Sequence, residues 1–145
     1  MKRALLLLAH GARDPRWAAP FEDMARRLRA LAPDASVRLS FLDFLAPDLK
    51  TAGSELVRSG CRRIDVMPLF LGSGGHVRND VPRLLRELAQ EHPQVEWHAH
   101  TAIGEVGSVI DAMALACFSA AFDASTQAPR NQAGAPAGPP EKRDP

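Results

Sequence analysis

Cysteine is scarce in this chain of 145 residues: two occur, Cys61 and Cys117, far apart and in no C-x-x-C pairing. That excludes a disulfide framework and a zinc ribbon, and it points to a reducing compartment, the cytoplasm by default. An excess of charge of one sign is also lacking. A formal net charge of +1 gives no reason to expect nucleic acid as a partner. Long apolar runs are missing too. The run from Leu5 to Ala9 is far too short to cross a bilayer, so no membrane partner is expected. It has no small-residue cleavage site behind it and leads straight into His10-Gly11-Ala12-Arg13-Asp14, which argues against a signal peptide. What is present, 46% hydrophobic and 24% charged residues, is ordinary for one soluble globular domain.

The apolar pattern alternates between strand-like and helix-like stretches. Lys2 to Ala9 is continuously apolar after its first residues and reads as a strand buried on both faces. Phe21, Met24, Ala25 and Leu28 then fall at helical spacing, with Pro20 suited to a first turn. Ser36 to Leu42 is β-prone. Leu49, Ala52, Leu56 and Val57 mark a second helix, with Gly60 placed to close it. Arg63 to Phe70 reads as the third strand. Asp80 is the expected N-cap of a third helix carrying Val81, Leu84, Leu85 and Leu88, which His92-Pro93 ends. Gln94 to Thr101 reads as the fourth strand. Val106, Val109, Ile110, Met113, Ala114 and Cys117 are expected to form the inner stripe of a last helix, with Cys117 a small apolar filler.

Four strands alternating with four helices predict an α/β fold: a doubly wound, four-stranded parallel sheet covered on both sides. The domain is expected over 1–123. From Ala124 to Pro145, Gln, Ala, Gly, Pro and charged residues replace the apolar pattern, and a disordered tail is expected there. With strand order 2-1-3-4, the topological switch point lies between the first and third strands, where such sheets bind ligands.

The organising stretch runs from Met67 to Pro82. An apolar strand gives way to a small-residue loop with His76 at its tip. Gly72, Gly74 and Gly75 are expected to supply positive φ and an uncrowded approach. At the amino terminus Leu5 to Ala9 hands off His10 in the same way, so His10 and His76 are expected to face each other across the crevice. Asp43 follows the second strand on the same edge and completes a His, His, carboxylate set suited to a borderline divalent metal. A phosphate site fits less well. The loop lacks the lysine and Ser/Thr of a P-loop, and Val77 stands where a dinucleotide fingerprint needs glycine. His98 and His100 alternate in the fourth strand and share one sheet face, where a structural role is expected.

The pattern Leu-Leu-Leu-Ala9-His10-Gly11-x-Arg13, then Phe41-Leu42-Asp43 with Pro47, then Met67 to Leu71 with Gly75-His76-x-x-Asn79-Asp80-Val81-Pro82, resembles the class II tetrapyrrole chelatases. It is most similar to the small sirohydrochlorin chelatases of the CbiX and SirB type, over roughly residues 3–116. The resemblance implies a flavodoxin-like (chelatase-like) domain that pairs as a homodimer. It implies insertion of a divalent metal (Co²⁺, Fe²⁺ or Ni²⁺) into sirohydrochlorin, for cobalamin or siroheme, without an organic cofactor. His10 and His76 would bind the metal and assist proton removal, with Asp43 in support. Arg13, Arg16 and Arg78 stand beside these histidines, suited to the carboxylates of the tetrapyrrole. Phe44, Leu71, Gly74 and Gly75 would border the macrocycle. Two departures stand out. Asp43 replaces the usual glutamate, and Glu105-Val106-Gly107 replaces a loop that often carries histidine and proline. A non-catalytic carrier of metal or tetrapyrrole is the alternative these departures leave.

Overall fold

A computed structural model describes residues 2–72 and 74–123, with His76 and Val77 as backbone only. The segment 124–145, expected to be a tail, lies outside the described residues. In chain order the elements are β1 (Arg3–Ala9), a 3₁₀ turn (Pro15–Ala18), α1 (Ala19–Leu31), β2 (Ser36–Phe41), α2 (Leu49–Arg58) and β3 (Arg63–Pro68). Then follow α3 (Gly75–Glu91), β4 (Glu96–Ala99), a second 3₁₀ turn (Ile103–Glu105) and α4 (Gly107–Phe122). The sheet is parallel throughout and ordered β2-β1-β3-β4. The chain divides after Ile110 into two units, the second described from Asp111 to Asp123.

β1 is the axis of the first unit. It pairs with β2 through Leu7 opposite Leu39 and with β3 through Leu8 opposite Pro68. Leu6, Leu7 and Leu8 are fully buried, each contributing about 1.5–3 kcal/mol by leaving water. Alternation sends Leu6 and Leu8 to the core shared with α2 and α3, which also holds Leu49, Ile64, Val66 and Leu88. Leu7 faces the other way, with Val37 and Leu69 against Ala25, Met24 and Leu28 of α1. The hydroxyl of buried Ser40 donates to the Leu7 carbonyl at 2.8 Å. No polar group is stranded there.

Two helix starts bear on the site. α2 begins at Leu49, where the Asp48 carboxylate accepts the Thr51 N–H at 2.7 Å and caps it. α3 begins at Gly75 with Gly74 as its cap, a full turn before Asp80, which therefore lies inside the helix, as does Pro82. The histidine expected at a loop tip is accordingly the second residue of α3. The glycines before it do not supply positive φ either. Gly74 has φ −68°, and the positive-φ glycines among the described residues are Gly11 and Gly60. What Gly72, Gly74 and Gly75 provide is room, for a Cβ on any of them would meet nothing within 4 Å.

β4 is an edge strand whose residues are exposed apart from half-buried Trp97. The expectation for the last helix fails. α4 has no buried residue, and Cys117 is exposed rather than a core filler. The hydrophobic content of α4 is spread around its circumference, so the stripe expected from Val106 to Cys117 does not define a face. Among the described residues no helix is long and apolar enough to cross a membrane.

Candidate active site

The carboxyl ends of β1, β2 and β3 meet at the switch point. Backbone bonds extend the sheet one step past the strands: Leu42 N–H donates to Ala9 O, Asp43 N–H to His10 O, and Leu69 N–H to Leu8 O, at 3.0, 3.0 and 2.8 Å. His10 and Asp43 are thereby brought side by side. Gly11 makes this possible. It takes φ +94°, and a Cβ there would lie 1.8 Å from the Asp43 carbonyl oxygen. Only glycine tolerates that approach.

His10 is exposed; its Nδ1 lies 3.4 Å from the Gly11 carbonyl oxygen, and its ring meets Phe70 edge-on at 6.3 Å. Phe70 is itself buried, so the imidazole rests against a fixed wall. The Asp43 carboxylate accepts the Phe44 N–H at 2.8 Å. This local turn leaves one carboxylate oxygen out of the hydrogen bond and forces Phe44 to φ 64°, a region bulky residues rarely visit. The Phe44 ring is 54% exposed, with the Arg13 guanidinium 5.6 Å from its centre, a cation–π contact. Leu71, past β3, is 72% exposed. Neither side chain is part of the core.

A cavity of about 350 Å³ opens beside these residues, lined among others by His10, Asp43, Asp48, Lys50, Asp80 and Arg83. Lys50 reaches Glu87 and Glu91 on α3 at 3.3 and 2.7 Å, and Arg83 reaches Glu87 at 2.7 Å. These pairs tie α2 to α3 along the cavity wall. Hydrogen bonding from the Thr51 amide holds the Asp48 carboxyl below its ordinary range. Lys50, Asp48 and Arg83 escaped the sequence reading because their closeness to His10 depends on how α2 and α3 pack.

The remaining residues sort by element. Arg13 stands in the loop after β1, and Gly74, Gly75, His76 and Arg78 stand at the start of α3, which follows β3. β1 and β3 are neighbours, so His10 and His76 follow adjacent strands. The His76 side chain, and with it the proposed two-histidine pair, lies outside the described residues. Among the described residues no group of three or more His, Cys, Asp or Glu side chains could hold a metal ion. Arg16 is turned to Asp14, which it grips through three side-chain contacts of 2.8–3.1 Å. The departing loop is anchored: Gly104 N–H donates to Phe70 O at 2.9 Å, so Glu105 borders a second, smaller cavity with Arg78 and His100.

Known proteins resemble this chain in sequence and in fold. The sirohydrochlorin cobaltochelatase of Methanocaldococcus jannaschii is 30% identical over 89 residues, which is 61% of this chain and 62% of that protein. This chain thus spans about three fifths of the length of the curated relatives it matches. A CbiX protein of Marinobacter aquaeolei, described as a putative cobalamin biosynthesis protein, superposes with TM-score 0.71 at 29% identity, over 79% of this chain and 93% of that one. The sirohydrochlorin chelatase SirB of Bacillus subtilis subspecies spizizenii, solved with cobalt, gives TM-score 0.71 at 25% identity over 79% of this chain but 49% of its own. The CbiX family model matches residues 4–117, which takes in every element from β1 into α4, and this chain therefore belongs to the CbiX family.

Proposed function

We propose that this chain inserts a divalent metal ion into sirohydrochlorin. The observation that carries the reading is the bridge between Asp43 N–H and His10 O, which sets an imidazole and a carboxylate together at the mouth of a cavity. Insertion exchanges M²⁺ for two pyrrole N–H protons, so the site needs ligands that release the metal and a base that accepts protons. Imidazole does both near neutral pH. His10, His76 and Asp43 form a mixed nitrogen and oxygen set that binds Co²⁺, Fe²⁺ or Ni²⁺ without the grip of thiolates. The metal is substrate, and no organic cofactor enters the scheme. Relatives named sirohydrochlorin cobaltochelatase and a cobalt-bound SirB favour Co²⁺ as the first metal to assay.

The macrocycle is placed against Phe44 and Leu71, two exposed apolar side chains that follow Asp43 and Phe70 in the chain, over the open backbone of Gly74 and Gly75. Arg13 and Arg78 take its carboxylates. A cavity of about 350 Å³ is at the small end for a ligand pocket (roughly 300–1,000 Å³) and does not enclose a tetrapyrrole. A homodimer supplies the second wall, with its interface at the carboxyl ends of the strands. The match of this chain to 49% of SirB supports that reading, because one longer chain there has room for two such lobes. Both cysteines are free thiols, in keeping with the cytoplasm as the place of reaction.

The test is the absorption change of sirohydrochlorin with Co²⁺ at catalytic chain concentrations. Multiple turnovers per chain are expected. Stoichiometric binding of metal or tetrapyrrole without turnover would overturn the enzyme reading in favour of a carrier.

A further inference from the structure

Phe44 combines two features that seldom meet, a strained backbone and an exposed ring. Among the described residues it is the one non-glycine with positive φ, at 64°. The Leu45 N–H donates to the Asp43 carbonyl oxygen at 2.8 Å, two residues back. A three-residue turn closed in this way around a positive φ is the rare, strained form of the γ-turn. Such strain persists only where the surroundings enforce it, and it gathers at functional sites. The ring presented here is 54% exposed, so burial of the side chain does little to offset the strain.

The turn is held at both ends and at its apex. Ahead of it, the Asp43 N–H is bound to His10 O at 3.0 Å. Gly11 lies so close that a Cβ there would sit 1.8 Å from the Asp43 carbonyl oxygen. Behind it, Leu45 packs on the cluster of Ala9, Ala18 and Phe41, and the Phe41 N–H closes the loop on Pro47 O at 3.0 Å. At the apex one oxygen of the Asp43 carboxylate accepts the Phe44 N–H at 2.8 Å. That last tie belongs to a side chain. It can be removed without altering the backbone bonds around it. The Arg13 guanidinium stands over the ring, 5.6 Å from its centre, and steadies it. A flat ring beside a guanidinium matches a flat macrocycle with carboxylate arms.

We propose that Asp43 is a positioning residue for the tetrapyrrole. Its carboxylate, by accepting the Phe44 N–H, holds Phe44 in the strained turn and keeps the ring preset as a platform for the macrocycle. A side chain already fixed in its bound conformation loses less freedom on binding, and affinity rises accordingly. The inference rests on sirohydrochlorin as the ligand, but its readout is binding rather than metal insertion. It also opposes simple electrostatics. A carboxylate beside a polyanionic macrocycle repels it, so loss of the charge alone should tighten binding. Loss of the tether should weaken it.

The experiment titrates the full-length chain with metal-free sirohydrochlorin in the presence of a chelator and reads Kd from the absorption change. Asp43→Ala should raise Kd about fivefold. Asp43→Asn, whose amide oxygen still accepts the Phe44 N–H, should bind at least as tightly as wild type. In a double-mutant cycle with Phe44→Gly, Asp43→Ala should have no further effect, because the ring it positions is gone. An Asp43→Ala chain that binds as well as wild type overturns the proposal. So does an Asp43→Asn chain as weak as Asp43→Ala, or an Asp43→Ala effect that persists in full on the Phe44→Gly background. If the wild-type chain binds sirohydrochlorin without inserting metal, the enzyme reading fails while the cycle still decides the role of Asp43. If the wild-type chain does not bind it, both fail.

Discussion

The Asp43 amide donates to the His10 carbonyl oxygen at 3.0 Å, so the ends of two neighbouring strands are joined beside the candidate site. The joint is rigid because Gly11 sits against the Asp43 carbonyl with no room for a side chain. An error of backbone placement here would separate the imidazole from the carboxylate, and small displacements of reacting groups are costly to rate.

Gly11→Ala tests that joint. The added Cβ would lie 1.8 Å from the Asp43 oxygen on a backbone with φ +94°, so backbone has to move. The expected cost is about 2–4 kcal/mol, read as a fall in melting temperature of about ten degrees, together with loss of insertion. Unchanged melting would show that the two loops are not held as described.

His10→Ala should behave in the opposite way. The ring is exposed and touches Phe70 only edge-on, so folding should be unaffected within about 0.5 kcal/mol. Insertion should fall by about 10²–10⁴-fold, the usual worth of a positioned acid–base group. His76→Ala is expected to match it. Wild-type rates from both variants would remove the histidines from the mechanism.

Phe44→Gly separates stability from binding. Glycine adopts the left-handed region freely, whereas an L side chain pays about 1–2 kcal/mol there, so melting temperature should hold or rise. Loss of the ring should raise the KM for sirohydrochlorin about tenfold with kcat little changed. A lower melting temperature with unaltered KM would make Phe44 a packing residue.

Acid stability should depend on Asp65. Burial pushes its carboxyl up, but the His100 hydrogen bond and the charges of Arg63, His100 and Arg3 outweigh burial and hold it below the ordinary value of 3.8. A carboxylate depressed in the folded state stabilises above its unfolded value, and that contribution is lost as pH falls through the folded one. Wild type should therefore exceed Asp65→Asn in urea denaturation at neutral pH, with the gap closing below about pH 4. A gap that persists at pH 3 would point to packing rather than charge.

Much of this was legible in the sequence because it depends on neighbours along the chain. Continuous apolar residues from Leu5 to Ala9 announce a strand buried on both faces, and the 3.6-residue spacing of Val81, Leu84, Leu85 and Leu88 announces a helix resting on it. The alternation of such stretches dictates a parallel sheet, and the order β2-β1-β3-β4 follows the common doubly wound pattern. His10 and Asp43 could be named as candidates because strand ends on one edge converge at the switch point.

What tertiary structure alone decided depends on residues distant in sequence. The start of α3 moved from Asp80 to Gly75 because capping rules describe local preference, whereas the room around the loop is set by its neighbours. Lys50 and Arg83 joined His10 in one cavity through the packing of α2 on α3, which periodicity leaves open. The apolar positions of α4 were read correctly as apolar, but hydrophobicity has no address. It states that a surface must leave water, and only the three-dimensional arrangement determines which surface receives it.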